Sequence, residues 1–197
     1  MGKLPLNLPN FMGCLRFLAG ISLLVIAWHG HKNIFIGVLI MAFLLDAIDG
    51  PIARYYHETS VQGARLDSLA DFTVYCSLLI SVWYLWPEIF VREQVYIGMA
   101  ALSILLPAMI GVIKFKTFTS YHTWLVKLAS VCIAPASILL ILEGPAWPFR
   151  FASIVSMLAG LEEIMITMAL NKPGSDVRHI IAVIKSRNTQ QDSKLSG

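Results

Sequence analysis

The chain has 197 residues, 57% of them hydrophobic and only 14% charged, with a formal net charge of +3. Soluble domains carry about a quarter charged residues, and a mean hydropathy of +0.70 excludes that class in favour of an integral membrane protein. The positive excess is small, and its placement along the chain accounts for it without a nucleic-acid partner.

About 20 consecutive apolar residues are needed to span a bilayer, and the sequence offers six such runs, at 11–28, 34–56, 66–86, 95–113, 124–142 and 149–170. They use nearly all of the chain and leave no room for a separate soluble domain. The first run lacks an A-x-A-like cleavage site and is expected to be a retained helix. Leu6 stands where a myristoylation signal needs Ser or Thr. Cys14, Cys76 and Cys132 lie inside apolar runs with no C-x-x-C pair, and read as small hydrophobes.

Loops are expected at HGHKN, at PEIFVREQ and at EGPAWPF. Trp28, Trp83, Trp86, Trp124 and Trp147 fall near span ends, where indoles favour the headgroup region. With a cytoplasmic N-terminus, the inner segments hold Lys3, Arg54, Arg65, Lys114, Lys116, Lys127 and the basic tail, with Arg16 in the inner part of the first helix. The outer loops then hold only Lys32, Arg92 and Arg150. That asymmetry places both termini in the cytoplasm. After Pro173-Gly174, Val177, Ile180, Ile181 and Ile184 recur at helical spacing in a basic segment, which predicts a short amphipathic helix on the inner membrane surface. The expected architecture is therefore all-α: a six-helix membrane domain over 1–170 and a basic amphipathic tail over 171–197.

Four of the six aspartates, Asp46, Asp49, Asp67 and Asp71, fall within one short window. Asp46 and Asp49 are spaced i, i+3 and Asp67 and Asp71 i, i+4, so each pair shares a helix face. The short connection YYHETSVQGA makes the two helices expected antiparallel neighbours, with the four carboxylates converging near the cytoplasmic end. Four aspartates at helix centres would cost roughly 10–14 kcal/mol on insertion scales. Arg54 and Arg65 can neutralise two at most. Divalent cations such as Mg²⁺ or Mn²⁺ suit the remaining carboxylate oxygens, and two of them about 3.5–4 Å apart would clamp phosphoryl oxygens for in-line displacement. Gly50 and Gly63 permit close ligand approach, Arg54 can meet a phosphate, and Pro51 is expected to kink the helix.

Residues 46–71, DAIDGPIARYYHETSVQGARLDSLAD, match D-x2-D-G-x2-A-R-x8-G-x3-D-x3-D in every fixed position. This resembles the signature of the CDP-alcohol phosphotransferase family, integral-membrane enzymes that make phospholipids from CDP-diacylglycerol. The opening NLPNFMGCLRF is also similar, with Asn10 and Arg16 at family spacing but Gly13 where many members carry a hydroxyl residue. The resemblance implies two divalent cations held by Asp46, Asp49 and Asp67 with help from Asp71, and Asp71 as general base. It implies nucleotide contacts at Asp49, Gly50, Ala53, Arg54, Gly63 and Asp67. It further implies attack of a polar alcohol on the diacylglycerol-bearing phosphorus with release of CMP, and a homodimer.

The acceptor is less constrained. Arg65, Lys114, Lys116 and Lys127 are the candidates for holding a phosphate on it, with His122 nearby, although positive-inside loop charge explains the lysines equally well. Glycerol 3-phosphate is the first expectation, with inositol phosphate, phosphatidylglycerol or another alcohol as alternatives. The G-K-x-K-T-like element associated with phosphatidylglycerophosphate synthases is missing. Glu162 and Glu163 either reach the cytoplasmic interface or orient the substrate or a basic partner. The expected setting is a multi-pass protein of a bacterial inner membrane, with its site facing the cytoplasm. Outside this class, a membrane prenyltransferase would place its aspartates on more widely separated helices. A divalent-cation transporter would keep them near mid-membrane and would have no use for Arg54.

Overall fold

A computed structural model describes residues 8–55, 61–116 and 123–170, without side chains at 8, 9, 50, 51, 53–55, 61, 62, 64 and 65. The expected tail helix, His122 and most of the α2–α3 connection lie outside the described residues. Six helices and no strand are present among those residues: α1 (Leu8–Trp28), α2 (Lys32–Tyr55), α3 (Val61–Leu85), α4 (Pro87–Phe115), α5 (Trp124–Ile141) and α6 (Trp147–Ala169). Each coincides with one of the six apolar runs, because a backbone in hydrocarbon must bond within its own segment. Large apolar side chains such as Phe11, Leu18, Val25, Ile113, Val131 and Met168 face outward, as expected of helices solvated by lipid rather than water.

Five of the six helices are long and apolar enough to cross a membrane. The exception is α2, whose described apolar stretch carries Lys32 at one end and Asp46 and Asp49 near the other. The expected six spans thus stand at five among the described residues, which leave out the side chains at 50, 51 and 53–55 of α2. PEIFVREQ is also not a loop. Pro87 opens α4, where its missing N–H has no partner to lose, and Glu88 lies in the first turn, where the helix dipole favours an acid. The break falls later, at Glu93, which leaves helical geometry at φ −110°, ψ 17°. Pro51 does not interrupt α2, which stays helical to Tyr55.

The chain forms two compact units, Met1–Gln94 and Val95–Gly197. In the first, α1 packs extensively on α3 and also on α2, while α2 and α3 scarcely touch each other. The short connection therefore does not make α2 and α3 direct packing partners; α1 is the helix they share. α1 and α3 run parallel, with Gly13 against Leu66, Gly20 against Thr73 and Val74, and Trp28 stacked on Tyr84 at 6.0 Å. Small residues allow such close backbone approach where no hydrophobic force drives helices together. Trp28, Trp83, Trp124 and Trp147 are exposed at helix ends, but Trp86 is buried. It packs edge-on against Phe35 at 5.6 Å, with the Lys32 ammonium 5.4 Å from its ring. In the second unit, Ala129, Val155 and Ala159 form the α5–α6 core, and Gly160 meets the backbone of Ser103 on α4. The three cysteines are free.

The tight α1–α3 seam yields the first test. A Cβ on Gly20 would lie 2.9 Å from the Thr73 methyl and 3.1 Å from the Val74 backbone nitrogen. Gly20→Leu should therefore destabilise the protein by about 1–3 kcal/mol, read as a lowered thermal midpoint in detergent. Gly37→Leu, on α2 with open space around it, should leave that midpoint nearly unchanged.

Candidate active site

The site begins with the face of α1 that meets α3. Gly13, Arg16 and Gly20 are spaced i, i+3, i+7 and share that face. The glycines bring the helices close, and between them Arg16 extends into the first unit with only 1% of its surface exposed. Its guanidinium reaches all four aspartates. Nη1 donates to Asp46 Oδ1 at 2.5 Å and to Asp49 Oδ2 at 2.7 Å. Nη2 donates to Asp67 Oδ1, pairs with Asp71 Oδ1 at 3.1 Å, and bonds the Asp67 carbonyl oxygen at 3.3 Å. Two helices that scarcely touch thus present their acidic faces to a third.

The i, i+3 and i, i+4 spacings are what aim each pair at one point. One turn before Asp46 on α2 and one turn after Asp71 on α3, Phe43 and Tyr75 are in ring contact at 5.8 Å, which places an aromatic pair beside the acidic groups. Asp46, Asp67 and Asp71 keep 35%, 37% and 38% of their side-chain surface, against 13% for Asp49 and 1% for Arg16. The carboxylates are therefore reachable while the arginine is enclosed. Asp46, Asp49 and Asp67 each offer an oxygen within 4.8 Å of the others, a separation that permits one cation to be held by all three. These are hard oxygen donors, the set that suits Mg²⁺ or Mn²⁺. Asp71 lies outside that group of three.

Charge supports the same fit. Four carboxylates face a single buried guanidinium among the described side chains. Arg54 and Arg65 were expected to share this task, but their side chains lie outside the described residues, as do those of Gly50 and Ala53 as ligand contacts. Gly63 is half-buried near the start of α3. Sequence reasoning missed Arg16, which it read as an inner-end arginine. The available signal was that an arginine in an apolar run far from any local acid must find its partner on another helix.

The remaining charged candidates belong to the second unit, and Lys114, Lys127 and Glu162 have local partners. Lys114 donates to the carbonyls of Thr167 and Met168, both at 2.9 Å, and so caps the C-terminal turn of α6. Lys127 lies over the Trp124 ring at 5.4 Å. Lys116 is exposed just past α4 in a left-handed conformation, φ 54°. Glu162 accepts a 2.8 Å hydrogen bond from Thr123 Oγ1. Thr123 is the N-cap of α5 and accepts from the Val126 amide at 3.2 Å, so Glu162 orients a helix cap.

The described residues thus combine apolar helices of membrane-spanning length with a cluster of carboxylates gathered from α2 and α3. The sequence model of the CDP-alcohol phosphatidyltransferase family matches residues 6–170, across both units, and the chain belongs to that family. It is 31% identical over 125 residues to the CDP-diacylglycerol–inositol 3-phosphatidyltransferase of Schizosaccharomyces pombe, covering 61% of this chain and 52% of the relative. It is 33% identical over 96 residues to the Candida albicans enzyme of the same name, covering 48% and 40%. With CDP-diacylglycerol–inositol 3-phosphatidyltransferase 1 of Arabidopsis thaliana it shares 28% identity over 99 residues, covering 50% and 41%. The matched region is thus about half or less of each relative's length. These relatives are eukaryotic and lend nothing to a bacterial setting. No solved structure matches.

The cap formed by Thr123 and Glu162 can be measured directly. Thr123→Val removes the acceptor for the Val126 amide and should cost about 1 kcal/mol, typical of a lost N-cap, as a lower thermal midpoint. Glu162→Gln keeps an acceptor for Thr123 and should cost less.

Proposed function

We propose that the protein transfers the phosphatidyl group of CDP-diacylglycerol to an inositol-type polyol, with release of CMP. The observation that carries the chemistry is the convergence of Asp46, Asp49, Asp67 and Asp71 on one point in a helical membrane unit. The acceptor rests on relatives named for inositol transfer, which favour an inositol-type alcohol over the glycerol 3-phosphate expected from sequence. The separate partners of Lys114 and Lys127 also weaken the case for a dedicated phosphate site at those lysines. A site facing the cytoplasm follows from the charge asymmetry of the loops, and the homodimer implied by resemblance is carried with this reading.

Asp46, Asp49, Asp67 and Asp71 would hold two divalent cations, which supply charge neutralisation at the diphosphate and at the leaving phosphate. The acceptor hydroxyl forms a new oxygen–phosphorus bond to the phosphate that carries diacylglycerol, and the bond from that phosphorus to the CMP oxygen breaks. Asp71 takes the hydroxyl proton. Two features favour it for this role: it lies outside the three-oxygen cation group, and it has the longest of the four contacts to Arg16, 3.1 Å. A general base must keep a free oxygen for the substrate proton. Gly50, Ala53, Arg54 and Gly63 are assigned to the nucleotide half, and Arg65 to the acceptor side.

Purified protein with CDP-diacylglycerol should release CMP and form phosphatidylinositol with myo-inositol, in preference to glycerol 3-phosphate or inositol phosphate. EDTA should stop turnover and Mg²⁺ or Mn²⁺ restore it; activity indifferent to chelation overturns the two-cation reading. Asp71→Asn should lower kcat by about 10²–10⁴-fold, the usual contribution of a general base, in a protein whose thermal midpoint shows it folded. Turnover close to that of the unaltered protein would remove Asp71 from the mechanism.

A further inference from the structure

The guanidinium of Arg16 occupies the point that the acidic cluster surrounds. Its two terminal nitrogens bond Asp46, Asp49, Asp67 and Asp71, and three of those residues are the ones whose oxygens lie within 4.8 Å of one another. A guanidinium fixed as a permanent strut would be expected to have all five of its N–H groups satisfied. Here Nε is buried without a hydrogen-bond partner among the described residues. Apart from one long bond to the Asp67 carbonyl, 3.3 Å, the head is held by the carboxylates alone. Whatever weakens their pull therefore releases it.

A cation bound by these carboxylates does weaken it. Two divalent cations would bring four positive charges, matching the four carboxylates, so the guanidinium would become a surplus charge held against them in a site of low polarity. Building on the proposal that the cluster binds divalent cations, we infer that Arg16 is an internal counter-cation that competes with them. It holds α2 and α3 in register when no cation is present and withdraws from the carboxylates as cations enter. Arg16 is in this sense a positioning residue that sets cation affinity. Occupancy by the guanidinium and by the cations are alternative states of one site, coupled with negative sign.

The test uses full-length protein in detergent and reads Mn²⁺ binding from the electron paramagnetic resonance signal of free Mn²⁺, with thermal midpoints in EDTA and at saturating Mn²⁺. Arg16→Met should have a lower midpoint than the unaltered protein in EDTA, because the four carboxylates lose the guanidinium that contacts them all. It should gain more from Mn²⁺ and bind it about tenfold more tightly, within the usual range for coupled binding equilibria. Equal or weaker Mn²⁺ binding, with the same midpoint gain as the unaltered protein, overturns the competition. Should Arg16→Met fail to fold, Arg16→Lys decides the question. A single ammonium cannot fork to four carboxylates, so Mn²⁺ should again bind more tightly, and unchanged or weaker binding overturns the inference. Absence of Mn²⁺ binding in every form, including the unaltered protein, would instead overturn the two-cation reading on which the inference rests.

Discussion

The first unit depends on one buried guanidinium meeting four carboxylates. Arg16 is enclosed by α1, α2 and α3, and removing it from water would carry a penalty of several kcal/mol unless the charge were paired. The four aspartates provide that pairing, and Arg16 in turn offsets part of the repulsion that would push the acidic faces of α2 and α3 apart. Since those two helices scarcely touch, their relation is mediated by α1. The glycines at positions 13 and 20 make this possible. They let α1 approach α3 until an arginine between them reaches across to α2. A hydroxyl residue at position 13, as in many family members, would bring its Cβ within 3.2 Å of the Leu66 side chain. The departure at Gly13 therefore fits the closeness of this seam.

Much of this was legible in the sequence because hydrocarbon imposes a simple rule. A segment of sufficient length and apolarity must be helical, so six runs became six helices. The aspartate spacing was equally readable, since i, i+3 and i, i+4 positions face one way whatever the surroundings. What could not be read was the partner. Arg16 precedes Asp46 by 30 residues, and nothing in local periodicity distinguishes an arginine that crosses to two other helices from one that extends to headgroups. PEIFVREQ was misread for a related reason. Proline and acids end one helix and begin the next with the same residue types, and only the structure shows that α4 starts immediately. Trp86 looked like its four exposed counterparts until Phe35 and Lys32 were seen around it.

In the second unit, charge near a membrane surface is tied to helix ends. Lys114, Lys127 and Glu162 all looked like possible substrate contacts, and each has a nearby helical group to serve: the carbonyls that end α6, the indole at the start of α5, and the threonine that caps α5. Helix termini expose unpaired backbone groups at every turn of a polytopic chain, so charged residues clustered there need no ligand to explain them. The aspartates differ because they lie within helices, where backbone groups are already paired and a carboxylate gains nothing from its own helix.

The same charge count bears on the order in which ligands arrive. The diphosphate of CDP-diacylglycerol is anionic, and each ionised carboxylate repels it by about 3 kcal/mol per charge pair at 5 Å and an effective dielectric of 20. Arg16 alone cannot reverse that sign, because it is already shared among four carboxylates. On the proposed reading the acidic face becomes attractive to the donor only after its carboxylates have gained further positive charge. A neutral polyol feels no such barrier. On that reading its hydroxyls would be met by hydrogen-bonding groups that any loop or helix end can supply, so the donor half of the reaction would leave a rigid signature in α2 and α3 and the acceptor half little that a sequence pattern can reveal.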